Sequence, residues 1–68
     1  MIRYAVEIVS ASNKKTLWVS IGTGVSPDRD DAHLYSRRQL AVKKLKEFTD
    51  YPQWYDSAKI VEVEVNWP

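Results

Sequence analysis

The chain has no cysteine, a single histidine, two glycines and one phenylalanine in 68 residues, and its ten basic and nine acidic side chains nearly cancel. Without thiols, disulfides and thiolate metal sites are excluded, and a reducing compartment fits. With His33 as the only imidazole, neither a Cys–His pair nor a Ser-His-Asp triad has more than one available base. A formal net charge of +1 gives no bulk electrostatic pull towards nucleic acid. No apolar run approaches the roughly 20 residues that cross a bilayer. Met1-Ile2-Arg3 passes directly into an alternating pattern, unlike the continuous apolar stretch of a signal peptide. The expectation is one cytoplasmic domain over residues 1–68, near the lower size limit for a core without staples.

What is present is organised around a helix-start signal. Ser36 and Gln39 have the Ser-x-x-Gln spacing of a capping box, and Tyr35 and Leu40 flank it where an apolar pair can staple the entering chain. From Arg37 to Thr49, Leu40, Ala41, Leu45 and Phe48 share one helical face, with the aliphatic stem of Lys44 beside them. Asp50-Tyr51-Pro52 ends the helix, because the residue before a proline avoids the helical region.

Both flanks read as strands. Ile2, Tyr4, Val6 and Ile8 alternate with Arg3, Ala5 and Glu7, and Leu17, Val19 and Ile21 alternate with Trp18 and Ser20. A polar turn from Ser10 to Lys15 joins them, with Asn13 as the residue that tolerates positive φ. Ile60 to Trp67 forms a final strand, in which Val61, Val63, Val65 and Trp67 alternate with Glu62, Glu64 and Asn66. Ser26-Pro27-Asp28 suits a turn, and Ala32 to Tyr35 can add a short extended piece. Starting the helix at Pro27 or Asp31 would make it about 33 Å long, too long for strands of roughly 20–25 Å.

These elements predict an α+β fold: a two-layer sandwich with β-β-α-β connectivity, in which one helix packs on a three-stranded antiparallel sheet of order 2-1-3. The free sheet face is expected to carry Arg3, Glu7, Thr16, Glu62 and Glu64, with Trp18 projecting from it. Self-pairing through an edge strand is the expected supplement to so small a core.

Candidate chemistry is sparse. His33 beside Asp31 has the composition of a general base, but a loop histidine is the plainer reading. Asp28-Arg29-Asp30-Asp31 lacks the spaced oxygen ligands and closing Glu of a calcium loop. Gly22-Thr23-Gly24 lacks the third glycine and following helix of a phosphate cradle. No catalytic residue, cofactor or metal is assigned.

Two surface features remain. Arg37 and Arg38 sit in the first helical turn, where the macrodipole disfavours cations by roughly 0.3–1 kcal/mol each. Either Asp30 or Asp31 folds back to neutralise them, or they serve an anionic partner through the bidentate guanidinium fork. With Lys43 and Lys46 they form a basic stripe. The second feature is aromatic: Trp18, together with Tyr51, Trp54 and Tyr55 in the loop Asp50–Asp56, offers large contact area at low rotamer entropy. In a domain this small such a loop also serves to close the end of the core.

The hairpin–helix–strand layout is similar to that of several small phage-encoded proteins that inhibit or redirect host machinery. That resemblance is one of layout alone, and it transfers no functional residue. The resulting expectation is a non-catalytic module that docks on a protein partner through Trp18, Arg37, Arg38, Lys43, Lys46, Tyr51, Trp54 and Tyr55. The competing expectation is nucleic-acid binding by the basic helix 37–46. No membrane association is expected.

Overall fold

The structure, a computed structural model, describes residues 1–20 and 24–66. The expected end of the second strand at Ile21, the Gly22-Thr23 part of the glycine turn and the last strand residue Trp67 lie outside the described residues. The elements are β1 (Ile2–Ser10), β2 (Thr16–Val19), β3 (Val25–Ser26), a single 3₁₀ turn (Arg29–Asp31), α1 (Arg38–Thr49) and β4 (Tyr55–Glu64). They form an antiparallel sheet of order β3-β2-β1-β4 with α1 packed on one face. The α+β architecture and the central position of β1 follow the sequence pattern; the extra edge strand β3 does not.

β3 exists because the chain after β2 folds back, with Ser20 N–H donating to the Gly24 carbonyl at 3.0 Å; short polar side chains then turn the chain again beyond Ser26. Ser26 Oγ accepts from the Asp28 amide at 3.1 Å and donates to Asp31 Oδ2 at 2.9 Å, and Asp28 Oδ1 accepts from the Asp30 amide at 2.9 Å. The fold-back sets Val25 opposite Val19 and Ser26 opposite Trp18, and the side-chain turn follows it. The chain then crosses to the other side of β2. His33 N–H donates to the Val19 carbonyl at 2.9 Å, and Tyr35 exchanges both backbone bonds with Tyr4 at 2.7 and 2.9 Å. Residues 32–35 thus occupy the place beside β1 that β2 leaves after Val19.

The β1–β2 turn places the positive φ at Lys14 (φ 59°), one residue later than expected. Asn13 instead uses its Oδ1 to accept the Lys15 amide at 3.0 Å. A non-glycine residue held there stores about 1–2 kcal/mol.

The register of β4 overturns the expected face assignment. Ala5 lies opposite Val61, Arg3 opposite Val63 and Glu7 opposite Lys59, so Val61 and Val63 share a face with Arg3 and Glu7. Glu62 and Glu64 fall on the helix side, opposite Tyr4 and Ile2, and stay exposed beyond the helix. A one-residue change of register moves every side chain to the other face. Here the pattern is anchored by Ala58 and Ile60, which pack beneath α1, and by the Glu7–Lys59 ion pair at 3.3 Å on the far side.

The far face is therefore not a polar sheet surface. Ala5 is fully buried, and Trp18 is 9% exposed, although it does lie on the face opposite the helix. The 3₁₀ turn covers it, with the Arg29 guanidinium 5.6 Å from the Trp18 ring centre. The expectation of Trp18 as an exposed contact residue is corrected: the indole is a structural residue of a second, smaller apolar layer. On the helix side the core consists of Val6, Ile8, Val19, Ala41 and Phe48, bordered by Tyr4, Leu17, Tyr35, Leu45, Tyr55, Ala58 and Ile60.

The helix begins later than its capping signal. Arg37 is the N-cap (φ −127°, ψ 141°), it has no side-chain cap bond, and Ser36 lies outside the helix. Tyr35 is paired with Tyr4 through both backbone bonds, and Arg37 keeps the extended backbone of a cap residue, so the first helical residue is Arg38. Tyr35 packs into the core instead of stapling, and Leu40 is left 47% exposed.

Candidate docking surface

The loop after α1 converts a helix end into a rigid display of aromatic rings. Asp50 closes the helix in the right-handed region (φ −75°, ψ −6°). Tyr51 N–H then donates to the Phe48 carbonyl at 3.1 Å, while Trp54 and Tyr55 N–H donate to the Tyr51 carbonyl at 3.0 and 3.2 Å. Ala11 N–H reaches across from the hairpin to the Trp54 carbonyl at 2.9 Å. The backbone from 51 to 55 is thus held at both ends by hydrogen bonds.

The side chains divide. Tyr55 turns inward, packing edge-on against Phe48 with ring centres 5.3 Å apart. Tyr51 and Trp54 turn outward, 53% and 64% exposed. Together with Lys44, Glu47, Phe48 and Tyr55 they line a surface groove of ≈ 550 Å³. Lys44 and Glu47 form an ion pair at 2.9 Å on its rim. A groove with an apolar floor, two amphipathic rings and both charge signs suits the burial of a protein side chain more than the transfer of protons.

The other expected contact residues lie elsewhere. Arg37 and Arg38 stand at the opposite end of a 12-residue helix, about 18 Å away. Lys43 and Lys46 are exposed but do not line the groove. The expected neutralisation of the arginines by Asp30 or Asp31 does not occur. Asp31 is taken by Ser26, Asp28 rather than Asp30 provides the cap of the 3₁₀ turn, and neither arginine has an ion-pair partner among the described residues. The structure therefore separates two features that the sequence placed together.

Lys44, whose aliphatic stem was expected beside the apolar helix face, and Glu47 join the groove, as does the core residue Phe48. The spacing of Lys44 to Phe48 and Tyr51 marks one continuous stripe, and that spacing was the available signal. The Lys44 charge also acts on Tyr35. Burial raises the Tyr35 phenol above its ordinary value of 10.0, Lys44 opposes the shift and Glu47 adds to it.

His33 sits half-buried with its ring 4.5 Å from that of Tyr35, in an edge-on contact. Among the described residues there is no group of three or more His, Asp or Glu side chains placed to hold a metal ion. Nor is any helix there long and apolar enough to cross a membrane. Compared with family models, curated proteins and solved structures, the chain matches none.

Proposed function

We propose that this protein is a non-catalytic binding module that docks on another protein through the groove at the C-terminal end of α1. The observation that carries this reading is the pairing of a fixed backbone with exposed rings at Tyr51 and Trp54. Trp and Tyr held in one conformation lose little entropy on binding, which is why they dominate interface energetics. Lys44 and Glu47 supply a polar rim on which a partner's charges can register.

The test is affinity capture from native cells, followed by titration of the captured partner against the wild-type, Trp54→Ala and Tyr51→Ala proteins. Truncating an anchor of this kind costs about 2 kcal/mol or more, roughly a thirtyfold loss of affinity. Circular dichroism should show both variants folded. Unchanged affinity in both would refute the groove as the docking site.

A second reading draws on the unpaired Arg37 and Arg38. Nucleic-acid binding by these with Lys43 and Lys46 would weaken steeply as salt rises. Fluorescence anisotropy with duplex and single-stranded oligonucleotides at low salt tests it directly. Absence of binding there removes it.

A further inference from the structure

β4 is the outer strand of the sheet, ten residues long, and among the described residues nothing pairs with its free edge. In an antiparallel strand each residue's N–H and C=O point to the same side, and the side alternates along the chain. Tyr4 directs both groups to Tyr35, away from β4. Its opposite residue Glu62 therefore directs its own groups outward, as do Ala58, Ile60 and Glu64 by alternation through an uninterrupted register. The inward set is confirmed at the end of the strand, where Val65 N–H donates to the Met1 carbonyl at 2.8 Å.

From this edge we infer that the protein forms a two-fold dimer in which β4 pairs antiparallel with β4 of a second copy, centred on Val61. Charge and strand regularity together select the register. Centring the pair on Lys59 or Glu62 would set identical charges face to face, centring on Val63 would oppose Glu62 to Glu64, and centring on Ile60 would oppose Asp56 to Glu64. Each of these is destabilising. Centring on Ala58 opposes no like charges, but it runs the pairing into the stretch beyond Ser57 where the register to β1 shifts. The Val61 register opposes no like charges and uses only the regular part of the strand. It lets Ile60 exchange backbone bonds with Glu62 of the second copy, and Ala58 with Glu64. On the far face it sets Val61 against Val61 and lays the stem of Lys59 along Val63.

The helix adds complementarity. α1 packs over Ala58 and Ile60 of β4 and carries the exposed Lys46 in its last turn. The Phe48–Tyr55 contact places this C-terminal half of α1 over the start of β4. Antiparallel pairing brings the exposed Glu62 and Glu64 of the second copy towards that same end of the helix. The separation of charge into a basic helix and an acidic strand end becomes self-complementary only in the dimer.

The inference does not rest on the docking reading.

Sedimentation equilibrium across micromolar to submillimolar concentrations should give twice the chain mass of 7.9 kDa. Glu62→Pro removes an outward N–H while sparing the ladder to β1. It should remain folded by circular dichroism and dissociate at concentrations at least tenfold higher. Val61→Cys gives a register test in a chain with no other cysteine. At the two-fold axis the non-hydrogen-bonded pair has Cα atoms about 4.5 Å apart, within disulfide reach. Mild oxidation should therefore cross-link Val61→Cys, while Ile60→Cys and Val63→Cys stay monomeric in denaturing gels. A wild-type chain that is monomeric throughout, cross-linking only at Ile60→Cys or Val63→Cys, or an unaltered dimer with Glu62→Pro would each overturn the inference.

Discussion

Replacing Arg37 by Asp should stabilise this protein, although it reverses a charge in what the sequence presents as a basic surface. Arg37 is the N-cap of α1, with the extended backbone (φ −127°, ψ 141°) that a capping side chain requires and no side-chain bond made. An Asp carboxylate at this position accepts an amide of the first turn, a contribution of roughly 0.5–2 kcal/mol relative to a non-capping residue. Removing a cation from the positive end of the helix dipole adds about 0.3–1 kcal/mol. Nothing is lost in return, since Arg37 has no ion-pair partner among the described residues. The net expectation is about 1–2 kcal/mol. In a domain of this size that raises Tm by roughly 5–15 °C.

Thermal and urea unfolding followed by circular dichroism measure this. Arg37→Ser separates the two contributions, because it supplies the cap without the anion. The charge-dependent part of the Asp gain should shrink in 1 M salt, where the screening length is only about 3 Å. Ser36→Ala is the companion control: a residue outside the helix with no bond to an amide of the first turn should change stability by no more than about 0.5 kcal/mol. A destabilised Arg37→Asp, or a Ser36→Ala loss above about 1 kcal/mol, would show that Ser36 is the true cap and that the helix starts one residue earlier.

Three further outcomes follow from other parts of the fold. Trp18→Ala should cost about 3–5 kcal/mol, because the indole is buried beneath the 3₁₀ turn; a loss under 1 kcal/mol in urea unfolding would return it to the surface. Lys14→Gly should stabilise the hairpin by about 1 kcal/mol, offset in part by the exposed Lys14–Asp56 ion pair, and a lower urea midpoint would refute the positive φ at Lys14. The raised Tyr35 phenol binds its proton more tightly in the folded state, so its contribution is complete below pH 10.0 and is lost as pH rises through the folded value. Stability measured from pH 9 to 12 should fall on that limb, and Tyr35→Phe should flatten the fall; an unchanged slope would refute a role for Tyr35.

The periods of two and of 3.6 residues made β1, β2, α1 and the second half of β4 legible, because each is a local pattern of burial; β4 begins at Tyr55, five residues ahead of the expected Ile60. The turn at Ser26-Pro27-Asp28 was equally legible from its short polar side chains. What depended on pairing was not. Whether Val61 or Glu62 faces the helix is a question of register, and alternation alone fits both choices until Ala58 and Ile60 are seen beneath α1. The capping box failed as well: Ser36 and Gln39 have the right spacing, but Arg37 keeps the extended backbone of a cap residue, so the helix starts one residue later. Trp18 shows the same limit. Its face could be read from phase, whereas its burial depended on a strap of irregular chain arriving from residues 27–34.

In the candidate site, the aromatic loop was visible as composition, and its division into an inward Tyr55 and outward Tyr51 and Trp54 was not. The sequence by itself determined which segments are helical or extended, and how little ionisable chemistry the chain carries, since both are properties of neighbouring residues. Tertiary structure alone decided which rings are exposed, which glutamates leave the core face and which strand edge stays open. Those depend on contacts between residues distant in the chain, where one unit of register reverses every side chain.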